Sequence, residues 1–290
     1  MKLLTLNTHS WQEDEPLAKL DILAKAIIEQ DCDVVALQEI NQHQTSGHLQ
    51  RDLLPSSTVA QAHAYNLLNP QIRVGNYAYL LQQKLREYGQ RYQLAWDFVH
   101  QSYAVYEEGL AFLSRLPILQ HEVIDLNDDY DEQNWKHRRA VRIRVHHAGQ
   151  EIDLFNCHCG WWDDVESPFQ QHIDRIASKV TPRLSFFLGD FNNPAHLSQQ
   201  GYDYVQQQGW WDCYVLAEQK DAGITVVKKI DGWEDNTQSL RLDFIFANLP
   251  VRVKRSQTLF TGDCYPVISD HFGVFTELDL GEEAALSIVG

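Results

Sequence analysis

Leu184-Ser185-Phe186-Phe187-Leu188-Gly189-Asp190-Phe191-Asn192 is the stretch on which the reading of this chain turns. Its apolar first half reads as a strand covered on both faces. Gly189 permits the backbone to turn as the strand ends. Asp190 and Asn192 stand two apart, so extended backbone points both the same way. A carboxylate and a carboxamide at the rim of a sheet can serve a reacting water and a phosphate. A polar turn uses the same residues, and this motif alone leaves the two readings level.

Working outward, other segments repeat the design. Residues 2–6 read as a strand ending at Asn7, and 16–30 as a helix with Pro16 at its start. A buried strand over 33–38 follows, ending in Gln38-Glu39. A second helix is predicted over 76–90, then strands over 92–102, 110–114, 118–126, 138–145 and 152–159. Helices over 167–180 and 197–208 flank the opening strand, and strands over 241–247, 251–260 and 271–278 close the chain. Hairpins are frequent while helices interleave. That pattern predicts an α/β (α+β) fold of mixed or antiparallel sheets with helices outside, not a doubly wound parallel sheet. No stretch reads as a linker, repeat or low-complexity tract, so 1–290 is expected to form a single domain.

Six strand-associated polar groups emerge: Asn7, Glu39, His158, the Asp190/Asn192 pair, Asp243 within 241–246, and Asp270-His271. Each has an ordinary structural use as turn, cap or core residue. A buried Asp243 needs a hydrogen-bond partner, and a structural one would suffice. Six in one chain are hard to ascribe to turns.

Their order and wording resemble the endonuclease/exonuclease/phosphatase superfamily, to which deoxyribonuclease I and abasic-site endonucleases belong. The resemblance rests on Asn7, Leu-Gln-Glu at 37–39, Asn-x-His at 156–158, Gly-Asp-Phe-Asn at 189–192, Leu-Asp-Phe-Ile at 242–245 and Ser-Asp-His at 269–271. It implies a four-layer sandwich, two packed mixed β-sheets between helices, with the site at one end of the sheets. It also implies hydrolysis of phosphate esters with Mg²⁺, sometimes Mn²⁺. By resemblance Glu39 is the main metal ligand, assisted by Asn7 and Asp270, an oxygen set suited to a hard cation. His271 would be polarised by Asp243, Asp190 would orient or deprotonate the attacking water, Asn192 would hold that water or a phosphate oxygen, and His158 would contact the phosphate.

Strand alternation adds Arg139. It shares the face of Val141, Ile143 and Val145, so it needs an anion there: a structural Asp or Glu, or the substrate phosphate. The aromatic residues Trp11, Trp161 and Trp162 follow site motifs and suit sugar rings or nucleobases, with packing as the ordinary alternative.

The formal charge of −16 works against nucleic-acid and anionic-membrane binding. Residues 1–7 are too soon polar for a signal peptide, and no stretch has the length of a membrane helix. The cysteines number five and are expected to be reduced, which points to the cytoplasm. Asn-Thr-His-Ser-Trp at 7–11 and Cys-His-Cys-Gly-Trp-Trp at 157–162 further resemble the branch of bacterial maltose 6′-phosphate phosphatases. The partner expected from these readings is a small sugar phosphate. A nuclease or phosphodiesterase of the same fold is the alternative. A non-catalytic binding module is a third possibility, but it would be expected to have lost metal or dyad residues, and none is missing.

Overall fold

In a computed structural model, residues 1–49, 72–227, 229–230, 232–233 and 235–281 are described. Two mixed sheets pack face to face. The first has seven strands: β1 (Lys2–Asn7), β2 (Val34–His43), β3 (Gln93–Ser102), β4 (Tyr106–Ser114), β10 (Gln219–Lys220), β12 (Arg252–Leu259) and β13 (Gly273–Asp279). Their order is β10-β12-β13-β1-β2-β4-β3. The second has six: β5 (Ile118–Asp125), β6 (Arg139–His147), β7 (Gln150–His158), β8 (Ser185–Asp190), β11 (Asp243–Ala247) and β9 (Trp211–Asp212), ordered β5-β6-β7-β8-β11-β9.

Leu3, Val34, Phe112, Val141, Ile143, Phe186, Leu188 and Ile245 fill the space between the sheets. The alternate residues face outward onto helices. Leu4, Leu6, Val35 and Leu37 pack on α1 (Pro16–Glu29) and α2 (Tyr77–Glu87). Phe155, Phe187 and Phe244 pack on α3 (Phe169–Ala177) and α4 (Gly201–Gln207). This is the expected four-layer sandwich, in which sheet strands buried on both faces need apolar residues at nearly every position. A one-turn helix α5 (Cys213–Leu216) sits between β9 and β10.

Three differences from the sequence reading matter for the site. The second strand does not stop at Gln38 but runs to His43 through a bulge between Leu37 and Ile40. Glu39 sits in that bulge with φ of 54°. A bulge re-aims a side chain without ending the strand. Gly189 does not end its strand either, since β8 continues to Asp190. Its φ is 144°, and a Cβ there would lie 1.9 Å from the Cys157 carbonyl oxygen, so close approach to β7 is what requires glycine. Finally, β4 starts at Tyr106 rather than 110, because Glu107 and Glu108 pair with Gln42 and Asn41 across the ladder.

Candidate active site

The bulged β2, the ends of β1, β7 and β8, the start of β11 and the turn before β13 all open at one end of the sandwich. Asn7 ties the sheets together there. Its Nδ2 donates to Glu39 Oε1 at 2.8 Å and to Asp190 Oδ2 at 3.1 Å. Behind it, Asn156 Nδ2 donates to the carbonyls of Leu37 and Ala111, both at 2.9 Å, and Gln38 Nε2 donates to Asn156 Oδ1 at 2.6 Å. Asn156 thus supports the backbone of the bulge that presents Glu39.

A cleft of about 620 Å³ opens over this floor, lined by His158, Asp190, Asn192, Asp270, His271 and Glu39 among others. On one side, His271 Nδ1 lies 2.9 Å from Asp243 Oδ2, and its Nε2 lies 3.7 Å from Asp190 Oδ2. Burial opposes charging His271, but Asp243 and Asp190 outweigh it and hold the imidazole pKa well above its usual value. Asp190 is itself pushed up to about 6, by burial first and by Asp243, against the pull of His271. The Asn192 backbone N–H donates to Asp190 Oδ1 at 2.8 Å and fixes that carboxylate. Asn192 takes φ of 52° to do so, and its Nδ2 donates to the Cys159 carbonyl at 3.0 Å. His158 Nε2 stands 3.7 Å from Asp190 Oδ2 and 4.0 Å from Glu39 Oε1. Burial, then the charge of Arg138, keeps this imidazole neutral.

The other side is acidic. Glu39 is pushed up to about 8, by burial first and then by Glu108 and Asp270. Carboxylates crowded in one cleft repel, and an oxygen-ligated cation relieves that repulsion. Glu39, Asp270 and the Asn7 carboxamide therefore suit a hard divalent cation. Asp190, Asp243 and His271 also bring ligand atoms within 4.8 Å of one another, as do His9, Glu13 and Asp270.

Of the residues read from sequence as substrate contacts, Trp161 lines the cleft. It packs edge-on against Trp135, ring centroids 5.9 Å apart, and against Gly232, where a Cβ would fall 2.3 Å from the indole. Trp162 does not; it packs on Phe169 and Tyr204 outside the second sheet. Trp11 is held away as well, donating from Nε1 to the Gly75 carbonyl at 2.9 Å and packing on Tyr77. Arg139 takes the structural option: its Nε donates to Asp125 Oδ1 at 2.7 Å and its Nη1 to the Phe98 carbonyl at 2.9 Å. The adjacent Arg138 lines the cleft instead. Arg139 is already paired with Asp125 in the ladder, whereas Arg138 precedes the strand, where alternation does not apply.

His9, His100, Glu108, Arg138 and Trp135 are cleft residues that the sequence reading missed. Glu108 and His100 form a buried pair at 3.4 Å. An acid and a glycine immediately ahead of the strand predicted from 110 were the available signal for Glu108. All five cysteines are free and four are buried. Among the described residues no helix is long and apolar enough to cross a membrane.

Comparisons agree with this architecture. Residues 5–271 match the model of the Endonuclease/Exonuclease/phosphatase family. A solved family protein from Leptotrichia buccalis is 32% identical, with a TM-score of 0.84 over 97% of this chain and 100% of that one. A mannosyl-6-phosphatase of Bacteroides thetaiotaomicron superposes with a TM-score of 0.63 at 16% identity, over 97% of this chain and 100% of that one. A 3′ phosphatase from Neisseria bound to product DNA hairpin gives 0.60 at 17% identity, over 96% and 99%. No curated protein matches the sequence. Motif order, four-layer fold and family match agree: this chain belongs to the endonuclease/exonuclease/phosphatase family of hydrolases.

Proposed function

We propose that this protein is a divalent-cation-dependent phosphomonoesterase acting on a sugar phosphate, with maltose 6′-phosphate as the substrate to test first, releasing maltose and inorganic phosphate. The observation that carries the reading is the facing of two unlike groups across one cleft. The Asp190–His271–Asp243 cluster offers a base and a proton-rich imidazole, and Glu39 with Asp270 offers an acidic cation seat.

A cation held by Glu39, Asn7 and Asp270 would supply neutralisation of negative charge developing on the phosphoryl group. Asp190 positions the attacking water and takes its proton, a task suited to a carboxylate raised to about 6. Asn192 fixes Asp190 through its backbone N–H. Asp243 accepts from Nδ1 of His271, which leaves Nε2–H to donate into the cleft toward a phosphoryl oxygen. His158, kept neutral, donates one N–H to the same anion. The water attacks phosphorus directly, and no side chain needs to form a covalent intermediate.

Substrate class follows from the surroundings. A charge of −16 disfavours a polyanion. The cleft is of the size that takes small molecules, and Trp161 and Trp135 give it an aromatic wall. A neighbour of the same fold is a mannosyl-6-phosphatase, which supports a sugar phosphate; another acts as a 3′ phosphatase and was solved with DNA, which keeps the nuclease-like reading as the competitor. Cytoplasmic residence and Mg²⁺ or Mn²⁺ as the cation belong to the same proposal. Phosphate release from maltose 6′-phosphate, glucose 6-phosphate and abasic or plasmid DNA, each with and without EDTA, tests it. EDTA-sensitive turnover of the disaccharide phosphate is expected. Turnover of DNA but of neither sugar phosphate would overturn the substrate assignment.

A further inference from the structure

We infer that Arg138 is the anion anchor of the cleft, placed to take the free oxygens of a terminal, dianionic phosphate. This rests on the phosphoesterase reading above and deepens it, because it favours phosphomonoesters over diesters.

Arg138 is 4% exposed, yet its Nε is buried without a hydrogen-bond partner. Among the described residues its guanidinium forms no ion pair, although the chain carries 40 acidic residues against 24 basic ones. Other buried or half-buried arginines find acids: Arg144 bonds Asp153, and Arg241 bonds Asp212. Of the cleft acids, Glu108 feels the charge of Arg138 but makes no ion pair with it and stands beside the neutral His100, and Glu39 bonds Asn7. A guanidinium cannot shed its charge, so a buried one without an acid calls for an anion from outside.

The residue is also held for such a role. Its backbone N–H donates to Asn127 Oδ1 at 2.8 Å, its carbonyl accepts from the Leu126 N–H at 3.0 Å, and its guanidinium lies 5.9 Å from the Trp161 ring centroid. Its charge reaches His158, whose Nε2 stands 3.7 Å from Asp190 Oδ2. His158 offers a ring N–H to a phosphoryl group, and Arg138 brings a permanent charge beside it. The planar fork bonds two oxygens at once. A monoester offers three free oxygens and two negative charges, whereas a diester gives up one of each to its second substituent.

The test uses cation-loaded full-length protein. Binding of inorganic phosphate is measured by calorimetry, and kcat/KM is measured for an aryl phosphate and the matching bis-aryl diester. Arg138→Gln is expected to weaken phosphate binding by at least about tenfold and to lower the monoester-to-diester ratio by a similar factor. Unchanged phosphate affinity would overturn the anion role, and an unchanged ratio would overturn the monoester preference. If Arg138→Gln does not fold, Arg138→Lys decides: it keeps the charge, loses the fork and should bind phosphate several-fold more weakly, while equal affinity overturns the inference. Phosphate binding needs no sugar. A wild-type protein idle on sugar phosphates that binds phosphate through Arg138 sinks the substrate proposal alone; an active one whose variant binds phosphate normally sinks Arg138 alone.

Discussion

Arg144, inside β6, and Arg138, just before that strand, are both buried, and they are treated differently. Arg144 donates from Nε to Asp153 Oδ1 at 2.6 Å and from Nη2 to Oδ2 at 3.1 Å, on the neighbouring strand β7. The charge is closed within the fold. Among the described residues Arg138, at the cleft end, forms no such ion pair, and Glu39 in the same cleft is crowded by Glu108 and Asp270. At one end of the sheets buried charge is structural and complete; at the other it is left open to a ligand. Open charges of both signs in one cleft are what a cation and a phosphate together would complete.

The largest effect should come from the open end. Glu39→Ala and His271→Ala should each lower turnover by about three orders of magnitude or more while leaving circular dichroism and the melting transition near wild type. Near-normal phosphate release by either variant would undo the mechanism. The closed end should respond in stability instead. Asp153→Ala strands Arg144 and should cost about 3 kcal/mol in urea denaturation, whereas Arg138→Met removes an already unpaired charge and should shift Tm by no more than about 3 °C. A comparable loss from both would erase the distinction between the two ends.

A buried histidine beside the cleft makes stability depend on pH. His172 accepts from the Gly160 N–H at Nδ1, 3.2 Å away, and its Nε2 lies 2.8 Å from Ser167 Oγ, so the neutral ring is built in. Burial first, then the charge of Arg138, pushes its pKa down to about 3. The unfolded chain takes up a proton near pH 6.5 while the folded one refuses it. The stabilisation is therefore complete above about pH 6.5 and is lost as pH falls towards about 3, by about 2 kcal/mol per such histidine between pH 6.5 and 5. Urea melts at those two pH values should show a smaller difference in His172→Gln than in wild type; equal slopes would mean that His172 titrates normally.

The smallest effect concerns the adjacent tryptophans. Trp161→Ala should raise KM for a disaccharide phosphate by about tenfold more than for an aryl phosphate, and Trp162→Ala should lower stability without that selectivity. Equal KM effects on both substrates would place Trp161 in packing alone.

The strand-end polar groups were legible because short apolar runs that stop at Asn, Asp or His are visible in one dimension. The structure brings Asn7, Glu39, His158, Asp190, Asn192, Asp270 and His271 to one end of the sandwich, with Asp243 behind His271. Arg139 and Trp162 were singled out by periodicity and adjacency, yet neighbours on other elements, Asp125 and Tyr204, occupy them. Glu108, His100 and Trp135 enter the cleft from the β3–β4 hairpin and the segment before β6, where no strand end marks them.

Apolar periodicity marked mixed sheets with helices outside, because it shows which faces are buried, while the four layers and the acid–imidazole roles came from the family resemblance of the motifs. Which charges are cancelled was settled by the packing of the folded chain. That depends on what stands within about 4 Å across a sheet or cleft, where a buried ion pair or its absence is set by neighbours remote in the chain. Arg144 met Asp153 and Arg139 met Asp125, while among the described residues Arg138 forms no ion pair.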